Sequence, residues 1–254
     1  MALARNRLDR FISQEMDINK RDVRLILAQG RVTVDDVIAK NIEQIIDTFS
    51  HVILDGKTLQ NNMPYYVMLN KPIGVVSATK DKEHKTVIDL LKESDLERGG
   101  AGGIDLNDLH IVGRLDLNSS GLLLLTNDSR WSERLTQPEK KVAKVYQVVL
   151  QNSLYKGHIE NGVEGYVEAF ANGMYFEYEN ITTRPAQLKI LSEFVAQVTL
   201  VEGRYHQIKR MFGRFRNPVV KLHRVSIGNL SLDNNLSVGN FRLLTDVEMD
   251  NIDS

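Results

Sequence analysis

The chain has 254 residues, 42% hydrophobic and 26% charged, a profile of a folded protein with room for one large core or for a small domain joined to a larger one. It contains no cysteine, which excludes disulfides and thiol nucleophiles and leaves only His and carboxylates for any zinc site. The formal net charge of -1 conceals segregation: residues 203–232 hold seven Lys or Arg and no Asp or Glu, whereas Asp246, Glu248, Asp250 and Asp253 crowd the far end. A local basic face can bind phosphate whatever the net charge.

Charges interrupt residues 1–10 before an apolar run of signal-peptide length develops, and no apolar stretch approaches the roughly 20 residues that span a bilayer. A cytoplasmic protein with no membrane partner is expected. Leu8, Phe11 and Ile12 recur at helical spacing, and Val23, Ile26 and Leu27 do so again after Asn19, whose side chain suits an N-cap. Gly30 suits a left-handed helix end, and residues 31–34 then change to the period of a strand. Asp55-Gly56-Lys57 signals a tight turn, and Gln60-Asn61-Asn62-Met63-Pro64 reads as a linker. The expected division is residues 1–60 and 61–254.

Beyond the linker, strands are predicted over residues 65–70, 122–126, 145–150, 187–191 and 196–201. Helices are predicted over 129–135, with Asp128 as cap, over 206–215 and over 246–252. This order implies an α+β fold, with helices packed on a mixed, mainly antiparallel sheet. The glycine-rich run 99–103 lacks the Gly-Lys-Ser/Thr ending of a phosphate-binding loop and reads as a surface connection.

Three segments carry side chains suited to chemistry. Gly113-Arg114-Leu115-Asp116 precedes the run Leu122-Leu123-Leu124-Leu125-Thr126. Read from the residues alone, Asp116 is either a turn residue bonded to its own backbone or a carboxylate held at the rim of a sheet. In Lys144-Val145-Tyr146-Gln147, Tyr146 is either a core ring or a stacking surface for a base. In residues 202–212 cations and apolar residues alternate at helical spacing, either as a solvated basic face or as a phosphate contact. The six histidines are scattered and form no metal-ligand pair of the His-Glu-x-x-His kind.

Taken together with Asn70-Lys71-Pro72-Ile73-Gly74, these segments resemble, in order, the motifs of the bacterial ribosomal small-subunit type of pseudouridine synthases, which are grouped with their large-subunit relatives. Residues 5–51 resemble the S4 RNA-binding domain that precedes the catalytic domain in that family. The resemblance implies a small N-terminal S4-like RNA-binding domain, followed by a mainly antiparallel mixed-sheet catalytic domain. The implied enzyme isomerises uridine in ribosomal RNA without cofactor or metal, and a monomer is expected because no long amphipathic or heptad segment is left over to form an interface. The resemblance implies that Asp116 is the catalytic carboxylate, that Tyr146 stacks on the base and assists proton transfer, and that Lys209 pairs with Asp116. Arg114, Arg204, His206, Gln207, Arg210 and Lys71 are the implied RNA contacts near the site, and Lys20, Arg21, Arg24 and Arg31 those of the S4-like region.

Residues 131–134 and 204–210 most resemble members acting on 16S rRNA, at a site of the uridine 516 type, free or in a small-subunit assembly intermediate. The large-subunit members more often carry Arg where this chain has Lys209. The alternatives are a 23S rRNA enzyme and a non-catalytic RNA-binding or assembly protein; the Gly-Arg-Leu-Asp loop with its Tyr and Lys partners argues against the second, because binding alone does not need them.

Overall fold

The computed structural model describes residues 5–97, 104–155 and 162–253; the predicted connection at 99–103 lies outside them. The chain divides into one compact unit of Met1–Pro64 with Asp128–Arg130 and another of Tyr65–Asn127 with Trp131–Ser254. No helix among the described residues is long and apolar enough to cross a membrane.

The first unit runs β1 (Asn6–Arg7), α1 (Leu8–Met16), α2 (Lys20–Ala28), β2 (Val32–Val34), β3 (Val37–Ile38), β4 (Ile45–Ile46), β5 (Val52–Leu54) and β6 (Lys57–Gln60). Asn19 Oδ1 accepts from Asp22 N at 3.0 Å, capping α2. Gly30, at φ +68°, turns the chain out of that helix toward β2. The strands form an antiparallel sheet in the order β3-β2-β5-β6, and β1 pairs with β4. Asp55 and Gly56 both have positive φ between β5 and β6, the conformation whose twist suits a two-residue hairpin. Asp35 and Asp36 do the same between β2 and β3, a turn less obvious in sequence because neither residue is Gly. The apolar stripes of α1 and α2 meet the sheet through Leu8, Ile12, Val23, Leu27, Val32 and Val52.

The second unit continues with β7 (Tyr66–Lys71), α3 (Val87–Glu97), β8 (His110–Val112), β9 (Ser120–Thr126), α4 (Ser129–Thr136), β10 (Lys144–Leu150) and α5 (Gly162–Asn172). It is completed by β11 (Tyr175–Phe176), β12 (Ile181–Thr182), β13 (Gln187–Ile190), β14 (Val195–Leu200), α6 (Gln207–Gly213), β15 (Val219–Ile227), β16 (Leu230–Ser231), β17 (Phe241–Leu243) and α7 (Asp246–Asn251). The main sheet has the order β13-β14-β10-β15-β9-β7-β17, with β8 added to β9 and β16 to β15. Among its described pairings only β15 with β9 is parallel.

Strand β9 explains why the sheet is covered on both faces. Leu122 to Leu125 are all fully buried. Leu123 and Leu125 join Val67, Leu91, Phe170 and Phe212 in one core, while Leu122 and Leu124 join Trp131, Leu135 and Ile227 in another. A strand with a helix layer on either side has no polar face to alternate with. Asp128 Oδ1 accepts from Arg130 N at 2.9 Å at the start of α4.

The longest elements of this unit that are not evident from the sequence are α3, α5 and β15. The Gly and charge content of α3 and α5 obscures their helical stripe, and Lys221, His223 and Arg224 make β15 look like part of a surface basic tract. In fact β15 is central, pairing with β10 on one side and β9 on the other. Gly121 permits that parallel junction: at φ +104°, a Cβ there would lie 2.3 Å from the Arg224 carbonyl oxygen.

Candidate active site

The loop carrying Asp116 is fastened by the segment that follows β7. Ser77 Oγ donates to Leu115 O at 2.8 Å and accepts from Leu115 N at 3.1 Å. Gly74 N donates to Leu117 O at 2.8 Å, and Ser119 N to Asp116 O at 3.0 Å. From the end of β7, Lys71 Nζ donates to the carbonyls of Pro72 (2.8 Å), Asp116 (3.2 Å) and Ser119 (2.7 Å). With its backbone bonded in this way, the loop fixes the direction in which the Asp116 carboxylate leaves it.

Lys71 is wholly buried, so the expectation of an RNA contact is corrected: its ammonium group is used up inside the protein as a brace for the loop. Burial pushes it down to about 8, an effect that the Asp116 carboxylate opposes and Arg224 reinforces.

The second wall is the turn between β14 and α6. Glu202, itself buried, accepts from Arg184 N at 2.9 Å, Gln207 Nε2 at 2.7 Å and Arg204 Nε at 3.0 Å. Gln207 Oε1 accepts from Arg204 N at 3.2 Å. Gln207 is therefore buried and committed at both ends of its amide, a second correction to the expected RNA contacts: it closes the turn on itself. Helix α6 is anchored by Ile208, Met211 and Phe212 in the core. His206 and Lys209 consequently face Asp116, with His206 Nε2 3.3 Å and Lys209 Nζ 3.6 Å from Asp116 Oδ2.

These walls bound a cleft of about 520 Å³ whose lining includes Arg114, Asp116, Lys144, Tyr146, His206 and Arg224. Tyr146 lies on β10 between Val198 of β14 and Arg224 of β15, with 8% of its surface exposed. Its ring is thus part of the core and of the cleft at once. Lys144 on the same strand has its proton affinity lowered, first by burial and then by Arg224. His223 Nδ1 is 2.9 Å from Ser120 Oγ, and burial lowers its proton affinity too.

Sequence reasoning does not single out Arg224, which the structure places at the centre of the site. It is 1% exposed, and its Nε donates to Leu122 O at 2.7 Å. Its Nη1 lies 3.3 Å from Arg114 O and 3.5 Å from Tyr146 Oη, while its Nη2 has no partner among the described residues. The guanidinium thus ties the backbone of the Asp116 loop to the tyrosine strand. A signal exists in the alternation of Leu222 and Arg224, which places a cation at the inward phase of a strand.

The other expected contacts divide by environment. Arg114 is exposed at the cleft. Arg204 pairs with Glu202, and Arg210 pairs with Glu179 at 2.6 Å while lying 4.0 Å from the Phe176 ring centroid. In the first unit Lys20, Arg21 and Arg24 are exposed on α2, and Arg31 binds the Asp55 carboxylate with two nitrogens.

The site thus sets a carboxylate beside an imidazole and an ammonium in a cleft lined by tyrosine and arginine. Residues 65–213 match the RNA pseudouridylate synthase family, and the chain belongs to that family. It is 43% identical to the ribosomal small subunit pseudouridine synthase A of Pseudomonas aeruginosa, over 96% of this chain and 98% of the relative. Its identity to the Vibrio cholerae protein of the same name is 37%, over 97% and 99%. A crystal structure of a pseudouridylate synthase, 33% identical, superposes with a TM-score of 0.65 over 97% of this chain and 99% of the other.

Proposed function

We propose that this protein converts one uridine of 16S rRNA, of the uridine 516 type, to pseudouridine during small-subunit biogenesis, and that Asp116 is its catalytic carboxylate. The observation that carries the reading is the position of Asp116 in the cleft, within 3.6 Å of both His206 and Lys209. The names of the full-length relatives supply the small-subunit direction.

The reaction breaks the bond between ribose C1′ and N1 of uracil and forms one between C1′ and C5. The C5 proton is lost and N1 gains one, so the change is redox-neutral, consumes no water and requires no cofactor. An ionised Asp116 can attack the nucleoside or assist proton removal while the detached base turns. Lys209 Nζ and His206 Nε2, 3.6 Å and 3.3 Å from Asp116 Oδ2, would hold the carboxylate in place during either step. A uridine must leave its stack to enter such a cleft, at a cost of a few kcal/mol. Stacking on Tyr146 would repay part of this, Arg114 would hold a neighbouring phosphate or fill the vacated space, and Arg204 and Arg210 would lie along the strand.

The first unit is read as an S4-like RNA-binding domain in a monomeric cytoplasmic enzyme. Its exposed cations Lys20, Arg21 and Arg24 would grip the phosphate backbone, with Arg31 beside them. The test is pseudouridine mapping of 16S and 23S rRNA in cells lacking the gene, complemented with wild type or Asp116→Asn. Loss of one 16S pseudouridine, restored by wild type alone, is the expected result. A missing 23S pseudouridine would redirect the target, and an unchanged map would favour a non-catalytic RNA-binding role.

A further inference from the structure

Tyr205 is 73% exposed, although it belongs to the lining of the cleft. One face of its ring is stacked on the imidazole of His206, with centroids 3.9 Å apart and planes inclined by 19°. That imidazole in turn reaches Asp116, since His206 Nε2 is 3.3 Å from the carboxylate. A single ring therefore separates an open aromatic face from the catalytic carboxylate.

Scattered exposed aromatics are ordinary and need no function. This one differs in three respects. The ring takes no part in the hydrophobic cores among the described residues, so packing does not account for it. The turn presenting it is fixed by the bonds of Glu202 and Gln207 and by His206 in a left-handed conformation at φ +49°, so the platform is held before any ligand arrives. Arg204 precedes it in the chain, and Arg210 Nη1 lies 3.4 Å from the Tyr205 carbonyl, which puts cations suited to a phosphate backbone alongside an aromatic plane. Aromatic faces flanked by cations bind bases of any sequence, because every base has a π face.

We propose that the open face of Tyr205 is a nucleobase subsite that stacks a base flanking the target uridine. The proposal rests on the reading of the protein as an enzyme acting within RNA, and it assigns the subsite a role that family membership does not. A base placed there completes a stack of base, Tyr205 and His206. That stack fixes the register of the strand at the cleft without reading its sequence, and it holds the imidazole against Asp116.

A cycle between protein and RNA tests it, using full-length enzyme and a 16S rRNA fragment containing the converted uridine. The fragment is made with the two nucleotides on either side of that uridine rendered abasic one at a time. Dissociation constants and single-turnover pseudouridine formation are measured for wild type, Tyr205→Phe and Tyr205→Ala. At one flanking position, loss of the base is expected to weaken wild-type binding about 5- to 100-fold. Tyr205→Ala should show the same loss on intact RNA and no further loss on that abasic RNA, because the two changes remove one interaction. Tyr205→Phe should stay near wild type. Losses that multiply at every position, or an alanine variant that binds intact RNA as wild type does, would overturn the subsite. If the binding cycle holds but wild type forms no pseudouridine, the enzymatic reading fails and the subsite stands.

Discussion

Two basic surfaces of this molecule look alike in sequence and differ in what their charges do. In the stretch 203–232 most of the cations are occupied within the protein: Arg204 by Glu202, Arg210 by Glu179, Lys209 by Asp116, and Arg224 by carbonyls in the core. On α2 of the smaller unit, Lys20, Arg21 and Arg24 are exposed and form no ion pair among the described residues. Density of Lys and Arg is therefore a poor guide to which residues meet RNA. A cation buried with its partners, as Arg224 is, shapes the site, whereas one that stays partly solvated, as Arg204 and Arg210 do beside their carboxylates, is still available to displace counterions from a phosphate backbone.

The largest effect is expected at the carboxylate that Lys209 and His206 face. Asp116→Asn should lower turnover by more than about a thousandfold while leaving RNA affinity within a few fold, as expected for a group acting in the chemical step. Single-turnover pseudouridine formation with saturating enzyme measures it. A comparable loss of affinity would instead place Asp116 in ground-state binding.

Next is Arg224→Met, which keeps much of the side-chain volume and removes the donors. It leaves the Leu122 and Arg114 carbonyls and the Tyr146 hydroxyl short of a partner, at about 1–3 kcal/mol for each buried group left unsatisfied. A fall of several kcal/mol in unfolding free energy by urea titration is expected, together with lost turnover. A variant as stable as wild type would mean that the guanidinium is not structural.

Lys71 tests the buried class of cation through pH. Its proton affinity when folded is about 8 against an ordinary 10.5, so between those values the unfolded chain binds more protons than the folded one. Stability from this group therefore rises with pH across that window and is flat on either side. In urea titrations the stability of wild type relative to Lys71→Met should improve between pH 8 and pH 10.5, by up to about 3 kcal/mol. A pH-independent difference would show that the three carbonyl acceptors hold the ammonium charged throughout.

The smallest effect belongs to α2. Replacing Lys20, Arg21 and Arg24 together by Ala should reduce the salt dependence of RNA binding by about one unit of log-log slope for each phosphate no longer neutralised. KM should rise while turnover of bound RNA is unchanged. An unaltered slope would remove this face from the RNA path.

Much of the architecture is legible in the sequence because its signals are local. The helix stripes of Leu8, Ile12, Val23 and Leu27, the cap at Asn19 and the Asp55-Gly56 turn each follow from residues within a few positions of one another. The strand at Leu122–Leu125 is readable from its apolar run. Central strand β15 is not, since its Lys, His and Arg content contradicts local propensity and only pairing with β9 and β10 makes it a strand. Within the site, motif order indicates Asp116, Tyr146 and Lys209. It cannot separate exposed Arg114 from buried Lys71 and Gln207, because motifs specify residue types and burial is a property of the packed chain.

The local turns, the helix stripes of the first unit and the charge segregation are thus properties of the sequence read locally, and the candidate carboxylate is indicated by the order of the motifs. Which cations face that carboxylate, which are buried as braces and which stay solvated are settled by packing alone. Those outcomes depend on contacts between residues far apart in the chain, such as Lys71 with the loop at 116–119 and Arg224 with Leu122. Desolvation acts on a side chain only once the sheet and helices have closed around it.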